Sequence, residues 1–550
     1  MDLNKLKILF IACFLGLLAS SSKAQTFTKY WVKFKDKNGS PYTVGNPSSY
    51  LSARSIARRT AQGISVDMTD IPVNQTYINQ VNGTGAVVFQ RSKWMNAAIV
   101  IVNNPSQLTA INSLTCVLST SPVAKMNKFS DDQLSDAPVN PKELKTTQVN
   151  SYNYGPSFTQ NHQIGADCMH ENGYRGDNIL IGVLDSGFDN VNNNAVFDSL
   201  RTESRLIDTR DIVAGNTSVY EDHNHGALVL SCISGNTPGQ LIGTGPKAKV
   251  YLIRTEDVAS EKPIEESNWI VGAEYADSVG VNIMTTSLGY TTFDSPFISH
   301  VYSDLNGKTS PMSIAATMAV RKGIFVLNAA GNDGNNSWRY IGVPADADSI
   351  CSVGSVNGTG LHSSFSSVGP TADGRIKPDL SSRGEGTYVC GTGGNFFSGN
   401  GTSFATPILA GAVACLWQAN PTKTNMEILQ ALKATASQSG NPNNDDGWGI
   451  PNMCAAHNFL NGTNIGISEL MRSTNFKLFP SPAHQHLNIA LNQIPESITF
   501  TDVLGKVMDV TFTENGINQY IISLNNIPQG VYFISVKTTQ GLVNSKFIKE

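Results

Sequence analysis

The chain has 550 residues, which at about 100–200 residues per domain leaves room for two to four domains and excludes a small disulfide-stapled scaffold. Lys and Arg number 39 against 43 Asp and Glu, a net charge of -4, and no block of like charges offers a footprint to a nucleic-acid backbone. Hydrophobic residues at 40% exclude a disordered chain, and 48 Gly with 24 Pro in a low-charge background suit a loop-rich exported protein.

The N-terminus sets the compartment. Lys5 and Lys7 precede an apolar run from Ile8 to Leu18, and small residues then end in Ser22-Lys23-Ala24. This is the order of a secretory signal over residues 1–24, with Gln25 as the first mature residue. The run is shorter than the ~20 residues that span a bilayer, so export is expected, with no transmembrane segment. Cys13 leaves with the signal. Cys116 stands apart, while Cys168, Cys232, Cys351, Cys390, Cys415 and Cys454 share the central region. Their even number permits disulfides without choosing a pairing, and Cys232 and Cys415 equally suit small buried hydrophobes.

Residues 25–126 read as a small α+β unit. Tyr30 to Phe34 and Ala97 to Val102 have strand character, and Leu51 to Gln62 and Pro105 to Leu114 have helical character. Residues 127–152, with Asp131, Asp132, Asp136, Pro138 and Pro141, bury little and read as a linker. Residues 153–462 alternate continuous apolar runs (Ile179 to Leu184, Val250 to Ile253, Ile324 to Leu327) with helical patterns at Gly226 to Ser234, Trp269 to Val279 and Ala315 to Lys322. Such runs belong to parallel strands buried on both faces, so the expected fold is α/β, a mostly parallel sheet with helices on both sides. Residues 470–550 carry short alternating strands split by glycine turns, the pattern of a small β-sandwich.

Ligands of such sheets bind beyond the carboxyl ends of the strands, and the candidate residues stand there. Asp185 follows the first run, in Asp185-Ser186-Gly187, where a carboxylate can orient a histidine; ordinary turn chemistry uses the same residues. His225 comes 40 residues later, directly before Gly226 and an apolar helix, placed to serve as a general base, with His223 as its rival. Ser403 lies in Gly401-Thr402-Ser403-Phe404-Ala405-Thr406-Pro407 at the head of a strongly apolar helix, with the proline expected in the opening turn. There the helix dipole favours negative charge on or near the serine oxygen, although a plain N-cap serine would look alike. Asn332, past the third run, can donate a hydrogen bond to an oxyanion or close an Asx turn.

Taken in the order Asp, His, Asn, Ser, the segments Val183 to Gly187, His225-Gly226, Ala329 to Gly334 and Gly401 to Pro407 resemble the four signature blocks of the subtilisin-like serine proteases. The α/β-hydrolases run in another order and carry GxSxG. The resemblance implies Ser403 as nucleophile, His225 as base, Asp185 as its orienter and Asn332 as oxyanion donor. It further implies that Ser287, Leu288 and Gly289 form the edge that pairs with the substrate backbone, and that Ala329, Ala330 and Gly331 wall the pocket before the scissile bond. Gly447 to Asn452 resembles the motif that closes the catalytic domain.

This chain departs from the family at Ala227 and Leu228, usually Thr and His, and at Phe404, usually Met. An inactive protease fold would have lost one of the four groups and an adhesion protein would need none of them; all four are present. The chemistry requires no cofactor. Many members bind structural calcium, which the acidic loop Asn443-Asn444-Asp445-Asp446 would suit, though turn chemistry explains it equally. The N-terminal unit resembles the family's propeptide. The last 75 or so residues, with Leu478 to Ala483 and Gly530 to Phe533, resemble the sorting domain of the Bacteroidetes type IX secretion system. The implied product is a secreted or cell-surface endopeptidase that acts on protein or peptide substrates after export through the periplasm.

Overall fold

In a computed structural model the described residues are 27–125, 152–462, 477–480, 482–490, 497–502, 506–508, 510, 512–514, 519–538 and 541–550. The signal expected over 1–24 and residues 127–151 of the expected linker lie outside them. The described residues up to 457 form one compact unit and those from 458 onward a second.

Seven parallel strands make the central sheet, in the spatial order Leu380–Arg383, Cys351–Val356, Phe325–Ala329, Ile283–Thr286, Leu180–Asp185, Lys249–Arg254, Leu206–Asp211. The Leu180–Asp185 strand is buried at every residue, which is why its sequence shows no alternation. After it the chain adds two strands on one side before crossing to Ile283–Thr286 on the other. Asp185 therefore ends its strand where the strand order reverses, the crevice in which open α/β sheets bind ligands.

Two helices deliver chemistry to that crevice. His225–Ser234 is buried at every position after His225, and a Cβ on Gly226 would lie 2.3 Å from the Gly187 carbonyl. Only glycine lets the helix start this close to the Asp185 loop. Thr402–Ala419 is apolar and long enough to cross a bilayer, yet 83% of it is buried; it is a core helix. The proline expected in its opening turn, Pro407, instead lies inside the helix, because the helix begins at Thr402. Pro407 thus removes the amide that would bond the Ser403 carbonyl. The Ser287 hydroxyl donates to that carbonyl at 2.8 Å instead.

Cys168 and Cys454 form a disulfide, while Cys116, Cys232, Cys351, Cys390 and Cys415 are buried free thiols. Beside the bridge, His170 is almost wholly buried, with Nδ1 2.6 Å from the Tyr154 hydroxyl and Nε2 3.0 Å from the Thr244 carbonyl. Burial lowers its pKa from 6.5 to about 4. The folded state therefore favours the neutral ring. That contribution is complete above pH 6.5 and drains away as pH falls toward 4, by roughly 3 kcal/mol in all. Thermal melts at pH 7 and 4.5 should accordingly show less acid destabilisation in His170→Gln than in the parent; equal slopes would remove His170 from the account.

The N-terminal subdomain of the first unit is a four-stranded antiparallel sheet, ordered Val87–Ser92, Ala97–Ile101, Phe27–Phe34, Val117–Lys125. It packs on the helix Pro263–Val279, sharing one hydrophobic cluster in which Trp94, Ile99 and Val123 join Trp269, Ile270 and Ala273. Arg58 and Arg59 reach Asp277 at 2.6 and 2.8 Å with almost no solvent exposure, and Lys93 joins at 3.1 Å. Glu274 accepts from the Ser92 hydroxyl and from the Lys93 and Trp94 amides. Removing one partner of a buried pair costs about 3–5 kcal/mol, so these contacts enforce the docking register as well as its strength.

The second unit holds two antiparallel sheets: Lys477–Phe479, His486–Ala490, Gln519–Ser523 and Phe512–Glu514 in one, and Ser497–Asp502, Gly530–Thr538 and Gly541–Lys549 in the other. Leu487, Ile489 and Ile522 from the first meet Phe500, Ile534, Val536 and Phe547 from the second in a single core.

Candidate active site

Asp185 is fully buried at the end of its strand. Its Oδ1 lies 2.8 Å from His225 Nδ1 and accepts the Ser186 amide at 2.8 Å, while Oδ2 is buried without a hydrogen-bond partner. The His225 ring keeps about a quarter of its surface in solvent. The rival, His223, turns Nδ1 to the Ser186 hydroxyl at 2.7 Å, and its ring stacks on that of His225 at 6.3 Å. The carboxylate thus engages His225 and leaves His223 on the neighbouring serine.

Ser403 is the second residue of its helix and partly exposed. The next residue, Phe404, turns its ring to 6.4 Å from the His225 ring. Ser403 is held from two directions by one residue: its carbonyl accepts from the Ser287 hydroxyl, and its own hydroxyl donates to the Ser287 carbonyl at 3.3 Å. Ser287 immediately follows the strand Ile283–Thr286 that neighbours the Asp185 strand, so the sheet fixes the serine relative to the carboxylate.

Asn332 reaches the same place from beyond the strand Phe325–Ala329. Its Oδ1 accepts the Thr402 amide at 2.9 Å and the Thr402 hydroxyl at 3.0 Å, which fixes the side-chain plane and turns Nδ2 away from them. A Cβ on Gly401 would stand 3.8 Å from that Nδ2, so the amide donor is beside the serine loop. No motif singles out Thr402; only an Asn oxygen needing a partner points to it.

Leu288 is buried and Gly289 exposed, and the Leu288 carbonyl accepts from Asn328. Ala329 and Ala330 are buried, and Gly331 takes φ +115° with its amide 3.3 Å from the Thr402 hydroxyl. A side chain there would be strained and would meet the Ser367 hydroxyl. In the acidic loop Asn443 to Asp446, Asn443 Oδ1 accepts the Asp445 and Asp446 amides, Asp446 Oδ1 faces His362 and Ser381, and Asn444 Oδ1 is buried with no hydrogen-bond partner.

A second acidic group borders the site. Glu256 lies two residues past the strand Lys249–Arg254, whose Arg254 is in register with Asp185. Burial, Glu261 and Asp185 together push its carboxyl up to about 8, with His225 opposing them. Burial, Glu261 and Glu256 push Glu265 up to about 11. No motif in the sequence marks these residues.

The subtilase family model matches residues 176–449. A model of the peptidase S8 propeptide domain of Bacteroidota matches 29–142, and one of a secretion system C-terminal sorting domain matches 477–550. Subtilisin NAT of Bacillus subtilis subsp. natto is 31% identical over 339 residues, 61% of this chain and 78% of that protein. Subtilisin of Bacillus pumilus is 32% identical over 282 residues, 50% of this chain and 90% of its own. The structure of MycP1 with its N-terminal propeptide removed overlays with a TM-score of 0.44 at 21% identity, covering 54% of this chain and 96% of that one.

The chain belongs to the subtilase family. It is a serine endopeptidase with a propeptide and a C-terminal secretion sorting domain, and its class needs no cofactor for catalysis.

Proposed function

We propose that Ser403, His225 and Asp185 hydrolyse peptide bonds through an acyl-enzyme. Ser403 Oγ attacks the scissile carbonyl while His225 takes its proton, and His225 returns the proton to the departing amine. Asp185 holds the imidazole in the required tautomer and stabilises the imidazolium. The Asn332 amide and the Ser403 backbone amide donate to the oxyanion. Water, activated by the same histidine, then releases the acid. Ser287 to Gly289 present backbone to the substrate, and Ala329 to Gly331 wall the adjoining side-chain pocket. The observation that carries this reading is the 2.8 Å contact of Asp185 with His225, beyond a sheet that also anchors Ser403 through Ser287.

The processing scheme follows the same reading. Signal 1–24 delivers the chain to the periplasm, prosegment 25–126 and linker 127–152 precede the catalytic domain at 153–462, and sorting domain 470–550 leads it across the outer membrane. Any structural calcium would serve stability, not the reaction.

A serine-directed phosphonylating reagent tests the site. One equivalent should attach, located at Ser403 by peptide mass spectrometry. His225→Ala should block labelling and turnover, and His223→Ala should retain most of both. Labelling of another serine, or the opposite histidine pattern, would sink the assignment.

A further inference from the structure

The carboxylates of Glu256, Glu261 and Glu265 belong to none of the roles assigned above. One oxygen from each lies within 4.8 Å of the others. Like charges held this close repel: after burial, Glu261 and Asp185 act most strongly on Glu256, while on Glu261 a hydrogen bond with Glu265 opposes burial and Asp294 adds to it. Glu265 is fully buried in the first turn of the helix Pro263–Val279, where one oxygen, Oε2, accepts the Lys262 amide at 3.3 Å. Its other oxygen, Oε1, is buried with no N–H or hydroxyl donor, and the neighbouring group for the Glu265 carboxyl is the carboxyl of Glu261. The Tyr290 hydroxyl is likewise buried without a hydrogen-bond partner, and after burial Glu256, Glu265 and Glu261 are the groups that act on it most. Burying an unpaired carboxylate oxygen is costly unless a cation or a proton meets it.

We propose that Glu256, Glu261 and Glu265 bind a calcium ion at the edge of the cleft beside the Asp185–His225 pair. The ligand set is all oxygen, as a hard divalent cation requires. Three carboxylates also favour calcium, which takes six to eight oxygens in irregular geometry, over magnesium, which demands a near-ideal octahedron, keeps several waters and is usually held by one or two carboxylates. Glu261 is exposed and Glu256 half-buried, which leaves the ion a path from solvent and room for waters to complete its shell. Bound there, the cation ties the end of the Lys249–Arg254 strand to the start of the Pro263–Val279 helix. The site does not depend on the roles given to Ser403 and His225.

The test uses full-length Ser403→Ala, which keeps proteolysis out of the measurement. Terbium should bind saturably with emission sensitised by Tyr290, and calcium should displace it with a dissociation constant of about 10⁻⁴ to 10⁻³ M, the range of extracellular sites. In Glu261→Gln, which alters an exposed residue, and in the isosteric Glu265→Gln, calcium affinity by equilibrium dialysis should fall at least tenfold. Tyr290→Phe should lose the emission but keep the bound calcium. Three results would overturn the proposal: no calcium uptake in the parent, which assigns the cluster to protons shared between carboxyls; equal uptake in parent and both Gln variants; or, in active enzyme, a calcium-independent rise in KM for Lys- or Arg-bearing peptides in Glu261→Gln, which makes a substrate side chain the occupant.

Discussion

Replacing Ser403 by alanine is expected to lower kcat by about 10⁶ with KM largely retained, the loss that subtilisin itself suffers when its nucleophile is removed. The size follows from the serine and the histidine acting as a unit: without an oxygen to deprotonate, His225 has no step to catalyse. Binding should be spared because the substrate edge proposed at Ser287 to Gly289 and the wall proposed at Ala329 to Gly331 are untouched. The substitution keeps the Ser403 carbonyl, and with it the bond from the Ser287 hydroxyl that offsets Pro407. Peptide hydrolysis followed to several half-lives, with binding measured separately by inhibitor titration, decides the point. Parent-like turnover in the variant would end the nucleophile assignment.

Asn332→Leu should cost about 10²–10³ in kcat, the range set by loss of one side-chain oxyanion donor in subtilisin. Leucine matches the volume but cannot donate, and the charge that develops in the transition state then loses one of its two donors. The effect belongs in kcat because the ground-state carbonyl demands far less of that donor. Thr402 sharpens the expectation. By gripping Oδ1 with both its amide and its hydroxyl it aims the Asn332 amide before substrate arrives. A change chiefly in KM would make Asn332 a binding residue instead.

Much of the architecture could be read from the sequence because its central strands are apolar without alternation. Ile179 to Leu184 and Ile324 to Leu327 overlap the strands Leu180–Asp185 and Phe325–Ala329, and Val250 to Ile253 falls in Lys249–Arg254. The site candidates stood out since each lies just past such a run or at a helix head. Polar burial hid the rest. The helix expected from Trp269 starts at Pro263, because Glu265, Glu266, Ser267 and Asn268 are buried in its first turns and break the apolar pattern. Cys351–Val356 is buried throughout although a third of it is serine. Pro407 lies deeper in its helix than its sequence setting predicts because composition marks a helix head only to within a turn, and the compensating Ser287 bond is long-range. Arg58, Arg59 and Asp277 likewise meet across the fold, where no local spacing links them.

The Cys168–Cys454 bridge joins residues 286 positions apart, in the helices Ala166–Glu171 and Met453–Leu460 near the two ends of the catalytic region. A protease released among its own copies is exposed to nicking in its surface loops, and a cut anywhere inside that span leaves the two pieces covalently bound. Damage of this kind would be invisible by size until the bridge is reduced. The nicked molecule can also re-form its sheet without its halves diffusing apart, since rejoining is unimolecular. The bridge thus makes wear outside the cell gradual: each cut weakens one loop, and none by itself parts the strand that carries Asp185 from the helix that carries Ser403.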